Sequence, residues 1–329
     1  MKEISVFGGG SWATAIVKIL TENKLKVNWY VRNIHQVDQI NNTGINPRYL
    51  SYLKLNKDYI RASTDFEQVL QASPLLIFLI PSSQLESLME QVDIEIPKDR
   101  FILTSIKGTV GAKQELPSAY IANKFSIPTD RIGIIAGPCH AEEVAKGRRT
   151  YMTLASKNLH MMERLKPLFS TGYISVNISQ DLLGIEYAAI YKNVVGVVSG
   201  MAKGLNYGDN FLAVLIANAI AELETLMDAL GMKDTKVSNS SYLGDLLVTG
   251  YSNHSRNRNL GELLGQGLSL EQAISAMSMV AEGVSATMGL FQLASKLNIN
   301  LPILNTAYRV IYKHMPVETE FKLLERNLV

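Results

Sequence analysis

The sequence predicts an α/β protein, with a doubly wound, mostly parallel sheet over residues 1–180 and an all-helical second domain over residues 181–329. Three observations predict it. The chain opens with strand, glycine turn and helix in KEISVFGGGSWATAIVKIL. Strand and helix patterns then alternate as far as Asn177. From Asp181 onward only helical patterns recur. Repeated alternation of this kind favours a parallel sheet with helices on its faces.

The first element is a strand through Ile4, Val6 and Phe7 that runs straight into Gly8, Gly9 and Gly10. A helix then starts at Ser11, with Trp12, Ala15, Ile16, Ile19 and Leu20 on one face. Glycines let the backbone turn tightly and approach a ligand without a Cβ in the way. The free N–H groups of the first helical turn point at the same place, which suits a pyrophosphate. The fingerprint, Gly8-x-Gly10-x-x-Ala13, also occurs as a glycine-rich turn in other α/β proteins, so its weight comes from context. The context is a second strand, KVNWYVR, about twenty residues on, as a Rossmann-like unit requires. That strand ends in Arg32, with Asn33 and His35 behind it, rather than in Asp or Glu. A carboxylate there would repel a 2′-phosphate and an arginine can bind one, so NADP is expected as cofactor alongside NAD. Arg32 read alone is equally a solvated strand-end residue.

The later strand candidates are YIRAS, PLLIFLI, RFILTSI, RIGIIAG, TYMTLAS and YISVN. LLIFLI has no polar alternation and reads as a strand buried on both faces. Amphipathic segments such as DFEQVLQAS and SSQLESLMEQV lie between the strands. In the second half, LLGIEYAAIYKNVVGVVSGMAKGL and FLAVLIANAIAELETLMDALG are long helical patterns, the latter stopped by Gly231. Ligand sites in open parallel sheets lie outside the carboxyl ends of the strands, so the site is expected where the two domains meet.

The totals bound the function classes. With 329 residues, 19% charged and 47% apolar, the chain reads as an ordinary globular protein long enough for two cores. A net charge of +2 implies neither nucleic-acid nor membrane binding. The one cysteine, Cys139, excludes a disulfide framework and a thiolate metal site. No signal peptide is expected ahead of the first strand. The apolar stretches read as broken by charges before the roughly 20 residues of a membrane span. The reading is cytoplasmic. Apolar helices in the second half permit a homodimer without demanding one.

Lys192 and Asn193 are the strongest chemical candidates. They sit in a helix that is apolar on nearly every side, among Ile185, Ala188, Ala189, Ile190, Val194, Val195, Val197 and Val198. An ammonium buried there has a depressed pKa and can exchange a proton with a reacting oxygen. The plainer reading is a lysine that snorkels outward or holds a structural ion pair. Lys107, in TSIKGTV, follows a parallel strand and is expected to face the ligand crevice, unless it is an exposed loop charge. GPCHAEEV reads as a turn at Gly137 and Pro138 and a helix start at Glu142 and Glu143; alone it is an ordinary helix start, and the functional reading is that its N–H groups meet substrate or cofactor. His140 lies in no metal-ligand spacing, and no metal is expected. In LGDLLVTGYSNHSRNRNLG, Asp245 follows a glycine, and Arg256 stands between Ser255 and Asn257 as a fork for a phosphate. Taken alone, that run is equally a solvated polar loop.

Together these stretches resemble the bacterial-type NAD(P)-dependent glycerol-3-phosphate dehydrogenase family. GGGSWATAI, IKG before Thr109, GPCHAEEV, YKNVVGVVSGM, LGDLLVT, HSRNR and VAEG before Val284 occur in the family's order across nearly the whole chain. The resemblance implies that Ser11, Trp12, Arg32 and His35 line the cofactor, beside the turn at Gly8 and Gly10. It implies that Lys107 contacts cofactor and substrate, that Gly137 and Cys139 lie by the substrate, and that Ala141 lies by the cofactor. Lys192 would be the proton acceptor. Asp245, Ser255, Arg256 and Asn257 would bind the substrate, with Arg256 also touching the cofactor, and Val280 and Glu282 would close the cofactor site. The implied reaction interconverts dihydroxyacetone phosphate and sn-glycerol 3-phosphate and supplies phospholipid synthesis. Three positions depart from the pattern: Cys139 replaces Ser or Thr, Ala13 replaces Gly, and ANAIAEL lacks an arginine common there. A related hydroxyacid or ketopantoate dehydrogenase is the rival on the same plan. A dinucleotide-sensing regulator without turnover is the rival from another class, and it would leave the lysine in the apolar helix without a purpose.

Overall fold

An apolar run without alternation must be covered on both faces. In the computed structural model, which describes residues 2–232, 235–252, 255–277 and 281–329, all four residues of Leu75–Phe78 are buried. The strands are β1 (Glu3–Phe7), β2 (Lys26–Tyr30), β3 (Ile60–Ser63), β4 (Leu75–Phe78), β5 (Phe101–Thr104), β6 (Ile132–Ala136), β7 (Thr150–Ala155) and β8 (Ile174–Ser179). They form one sheet in the order β3-β2-β1-β4-β5-β6-β7-β8. Every pairing is parallel except β6 with β7, which is antiparallel. The chain order reverses between β1 and β4, the switch point at which open sheets of this type bind ligands.

The helices of this half are α1 (Ser11–Glu22), α2 (Ile34–Thr43), α3 (Phe66–Ala72), α4 (Ser82–Glu90), α5 (Pro117–Phe125), α6 (Ala141–Ala145) and α7 (Leu159–Phe169). α1 lies against the sheet with Ala13, Ala15, Ile16, Val17, Ile19 and Leu20 all fully buried. α2 starts where the Asn33 side chain accepts from the N–H of Gln36 at 3.0 Å, and stops at Gly44 with φ 74°.

The helices of the second half are α8 (Leu182–Gly204), α9 (Asp209–Ala229), α10 (Asp245–Tyr251), α11 (Arg256–Gly265), α12 (Leu270–Ser275), α13 (Gly283–Leu297), α14 (Pro302–Lys313) and α15 (Val317–Leu324). α8 and α11 cross at backbone contact. A Cβ on Gly200 would fall 1.9 Å from the Arg258 carbonyl oxygen, and one on Gly261 would fall 1.9 Å from that of Val197. Only glycine fits either position, and this approach brings the start of α11 against Gly196, one turn along α8 from Lys192 and Asn193.

Two compact units result: Met1–Ile106 with Glu115–Leu182, and Lys107–Gln114 with Leu183–Val329. The Lys107 segment therefore groups with the helical unit although it follows β5. The polar run from Ser255 opens a helix rather than forming a loop. Charges do interrupt both long apolar helices, at Glu186 and Lys192 in α8 and at Glu222 and Glu224 in α9. By length and composition α8 and α9 could each cross a membrane, but 89% of α8's apolar window is buried within the protein, against 44% for α9.

Candidate active site

In the sheet unit, the site begins at the turn between β1 and α1. Gly8 has φ 126°, and a Cβ there would lie 2.5 Å from the Leu79 carbonyl oxygen. Any other residue would be strained and would clash with β4's continuation. Gly10 caps α1 and has open space where a Cβ would stand, as close approach of a ligand requires. Ser11 is buried at the first position of α1, and Trp12 donates from its indole to Ser105 Oγ at 3.1 Å. Ala141 starts α6, which packs against α1. Arg32 and His35 are exposed around the start of α2. These residues fit a dinucleotide: a glycine cradle, a helix N-terminus for the pyrophosphate and an arginine at the end of β2. Gly137 turns after β6 with φ 101°, and the half-buried Cys139 Sγ donates to the Tyr151 carbonyl at 3.5 Å.

In the helical unit, Lys192, Lys107 and Asp245 come together. Lys192 sits mid-way along α8, 6% exposed, and its ammonium donates to Asp245 Oδ1. Asp245, at the start of α10, is 2% exposed. Its other oxygen, Oδ2, lies 3.9 Å from the Lys107 ammonium and accepts no hydrogen bond from the described residues. Asn193 donates to the Lys107 carbonyl at 2.7 Å and fixes that turn to α8. Burial is the largest influence on Lys192 and lowers its pKa from 10.5 to about 8; Asp245 pulls it back up, and Lys107 pushes it further down. The result is an ammonium that releases its proton far more readily than an exposed lysine does.

α11 supplies a second feature. Ser255 is its N-cap and accepts from the Arg258 N–H at 3.3 Å, while Arg256 and Asn257 form its first turn. Asn257 is buried, and its Oδ1 accepts from the Gly283 N–H at 2.8 Å, which orients the amide nitrogen as its donor. Glu282 directly precedes α13. Val280 lies outside the described residues, as do Asn253 and His254 of the polar run. Among the described residues no group of three or more His, Cys, Asp or Glu side chains could hold a metal ion.

Sequence reasoning did not single out Gln36, Asn46 or Ser105, which support the glycine turn and its indole. Nor did it single out Glu222, which meets the residue preceding Lys192. Neither periodicity nor motif marks these side chains, because their partners are far away in the chain.

Family models describing the N-terminus and the C-terminus of NAD-dependent glycerol-3-phosphate dehydrogenase match residues 3–162 and 181–322. A glycerol-3-phosphate dehydrogenase (NAD(P)+) of Staphylococcus aureus (strain bovine RF122 / ET3-1) is 34% identical over 329 residues, covering 99% of both chains. The crystal structure of glycerol-3-phosphate dehydrogenase from Coxiella burnetii superposes with a TM-score of 0.91 at 26% identity, covering 98% of each chain. A ketopantoate reductase from Ralstonia eutropha JMP134 shares the fold alone, with a TM-score of 0.61 at 15% identity over 97% of this chain and 99% of that one. With both halves matched in order and the whole length aligned, the chain belongs to the NAD-dependent glycerol-3-phosphate dehydrogenase family.

Proposed function

We propose that this protein interconverts dihydroxyacetone phosphate and sn-glycerol 3-phosphate, using NAD or NADP. The observation that carries the reading is the buried pairing of Lys192 with Asp245, with the Lys107 ammonium at the carboxylate's other oxygen. When bound, the dinucleotide supplies the hydride that reduces C2 of the ketone, or takes it up in the reverse direction.

The chain's own residues do the rest. Lys192 gives its proton to the C2 oxygen as the ketone is reduced and takes it back in the oxidation. Its lowered pKa, about 8, eases that exchange. Lys107 adds a second positive charge against the oxygen as negative charge develops there. Asp245 holds Lys192 through Oδ1 and offers Oδ2 to a substrate hydroxyl. The N-terminus of α11, with Ser255, Arg256 and the Asn257 amide nitrogen, suits the phosphate: helix N–H groups, a hydroxyl and a guanidinium are the donors an anion needs. Gly8, Gly10, Ser11, Trp12, Arg32 and His35 hold the dinucleotide. The assignments of Gly137 and Cys139 to substrate, and of Ala141, Val280 and Glu282 to cofactor, belong to the same reading and rest on the family. So do a cytoplasmic location and a role in supplying glycerol phosphate to phospholipid synthesis.

Initial rates test it. NADH and NADPH are each offered with dihydroxyacetone phosphate, ketopantoate and a 2-oxo acid. The reading expects oxidation of the reduced cofactor with the phosphorylated ketone, competed by inorganic phosphate. Faster turnover of either carboxylated ketone sinks it.

A further inference from the structure

The glycine turn is pinned from behind by a buried polar network. The Gly9 carbonyl accepts from Gln36 Nε2 at 2.7 Å and from Asn46 Nδ2 at 3.1 Å. Gln36 Nε2 also donates to Asn46 Oδ1 at 2.8 Å, and Asn46 Nδ2 donates to Thr14 Oγ1 at 2.7 Å. Thr14 Oγ1 donates in turn to the Gly10 carbonyl at 2.9 Å. Asn46 and Thr14 are fully buried and Gln36 is 4% exposed, so water cannot replace these partners. One residue upstream, the Gly8 carbonyl accepts from the Trp29 indole at 2.6 Å.

The consequence is directional. The chain has no cis peptide bond among the described residues, so each carbonyl points opposite to the N–H of the next residue. With the Gly8 and Gly9 carbonyls held inward, the N–H groups of Gly9 and Gly10 face the other way. Open space lies beside Gly10. Three consecutive glycines have an unusually loose backbone, and an unpinned turn would have to be ordered each time a ligand bound.

We propose that Gln36 and Asn46 are positioning residues for the cofactor: their amides hold the Gly9 carbonyl inward and thereby present the Gly10 N–H to the dinucleotide's pyrophosphate. This rests on the reading that the sheet unit binds NAD(P). It assigns a function to two side chains buried behind the turn.

Gln36→Met and Asn46→Leu keep the approximate shapes and remove the donors. Each removes one of the two donors that hold the Gly9 carbonyl and should weaken NADH binding about ten-fold. The expected split is a raised KM for NADH, with kcat at saturating NADH within about two-fold. Binding of adenosine, which has no pyrophosphate and is measurable by ligand-observed NMR, should not change. A general loosening of the unit would weaken adenosine and NADH alike, and that result overturns the proposal. Amide exchange in the unaltered protein gives a readout that does not depend on the variants folding: NADH should slow exchange at the Gly10 N–H, and unchanged exchange there also overturns it. If the unaltered protein binds NADH but the folded variants bind it equally well, this proposal alone fails. If the unaltered protein binds neither dinucleotide, the reading of the sheet unit fails, and the proposal with it.

Discussion

Tyr191 and Lys192 are consecutive residues of α8, and each meets a buried carboxylate. Tyr191 donates to Glu222 Oε2 at 2.8 Å; Lys192 donates to Asp245 Oδ1. From there the two carboxylates diverge. Glu222 has both oxygens filled by neutral donors, since the N–H groups of Ile303 and Leu304 at the start of α14 complete the set. It caps a helix that lies 81 residues further along the chain. With no cation beside it among the described residues, burial dominates and raises its pKa from 4.5 to about 7, against the lowering effect of those hydrogen bonds. Asp245 faces two ammonium groups and keeps Oδ2 without a hydrogen bond from the described residues. A carboxylate with every acceptor filled by its own chain is part of the scaffold. One held between two cations, with an oxygen to spare, can take a ligand and tune a proton donor.

Four substitutions break or sharpen that contrast. The largest effect is expected from Lys192→Ala, which removes the proton donor. Turnover should fall by roughly 10²–10⁴-fold, the span of general acid–base catalysis. Near-normal initial rates in the folded variant would place Lys192 with the scaffold.

Glu222→Gln should act on stability rather than rate. A carboxyl with a raised folded pKa binds its proton more tightly in the native state. Its contribution is therefore full below the unfolded value near 4.5 and is lost as pH rises through about 7. Across that window the loss amounts to about 3 kcal/mol. Urea unfolding between pH 4.5 and 7.5 should show this downward slope flattened in the variant. An unchanged slope would assign it to other groups.

Asp245→Asn removes the one influence that raises the Lys192 pKa and leaves burial and Lys107 unopposed. The alkaline limb of the reduction rate should move from about pH 8 towards neutrality by about one unit. A pH–rate profile with the limb in place, or moved upward, would separate Lys192 from that limb.

The smallest effect is expected from Tyr191→Phe. It removes one donor from Glu222 and should cost about 1 kcal/mol in unfolding free energy, with kcat within about two-fold. A loss of turnover comparable to that of Lys192→Ala would erase the distinction between the two carboxylates.

Much of the fold is legible in local pattern. The eight apolar runs read as strands become β1 to β8, because a parallel sheet covered on both faces needs such runs. The reversed direction of β7 against β6 is not legible, since parallel and antiparallel strands share one side-chain period. Lys192 stands out because a cation amid valines and isoleucines demands a reason. Asp245 is picked out on its own, but its pairing with Lys192 is not legible, because 53 residues separate them and no pattern records the distance. Ser255 to Asn257 read as a polar run and not as a helix start, since the residue three after the cap is Arg258 rather than the Glu or Gln of a capping box. Gln36 and Asn46 look like ordinary surface amides in the sequence. Only their burial behind Gly9 gives them meaning.

What the order of residues determined by itself is whatever depends on near neighbours: strand and helix periods, a glycine turn ahead of a helix, and one charge in an apolar stretch. Tertiary structure alone decided which carboxylate meets which donor, how the Gly9 peptide is oriented, and that the Lys107 turn packs with the helices. Those outcomes depend on side chains tens of residues apart being desolvated together. Desolvation makes an unpaired polar group costly enough to select one arrangement.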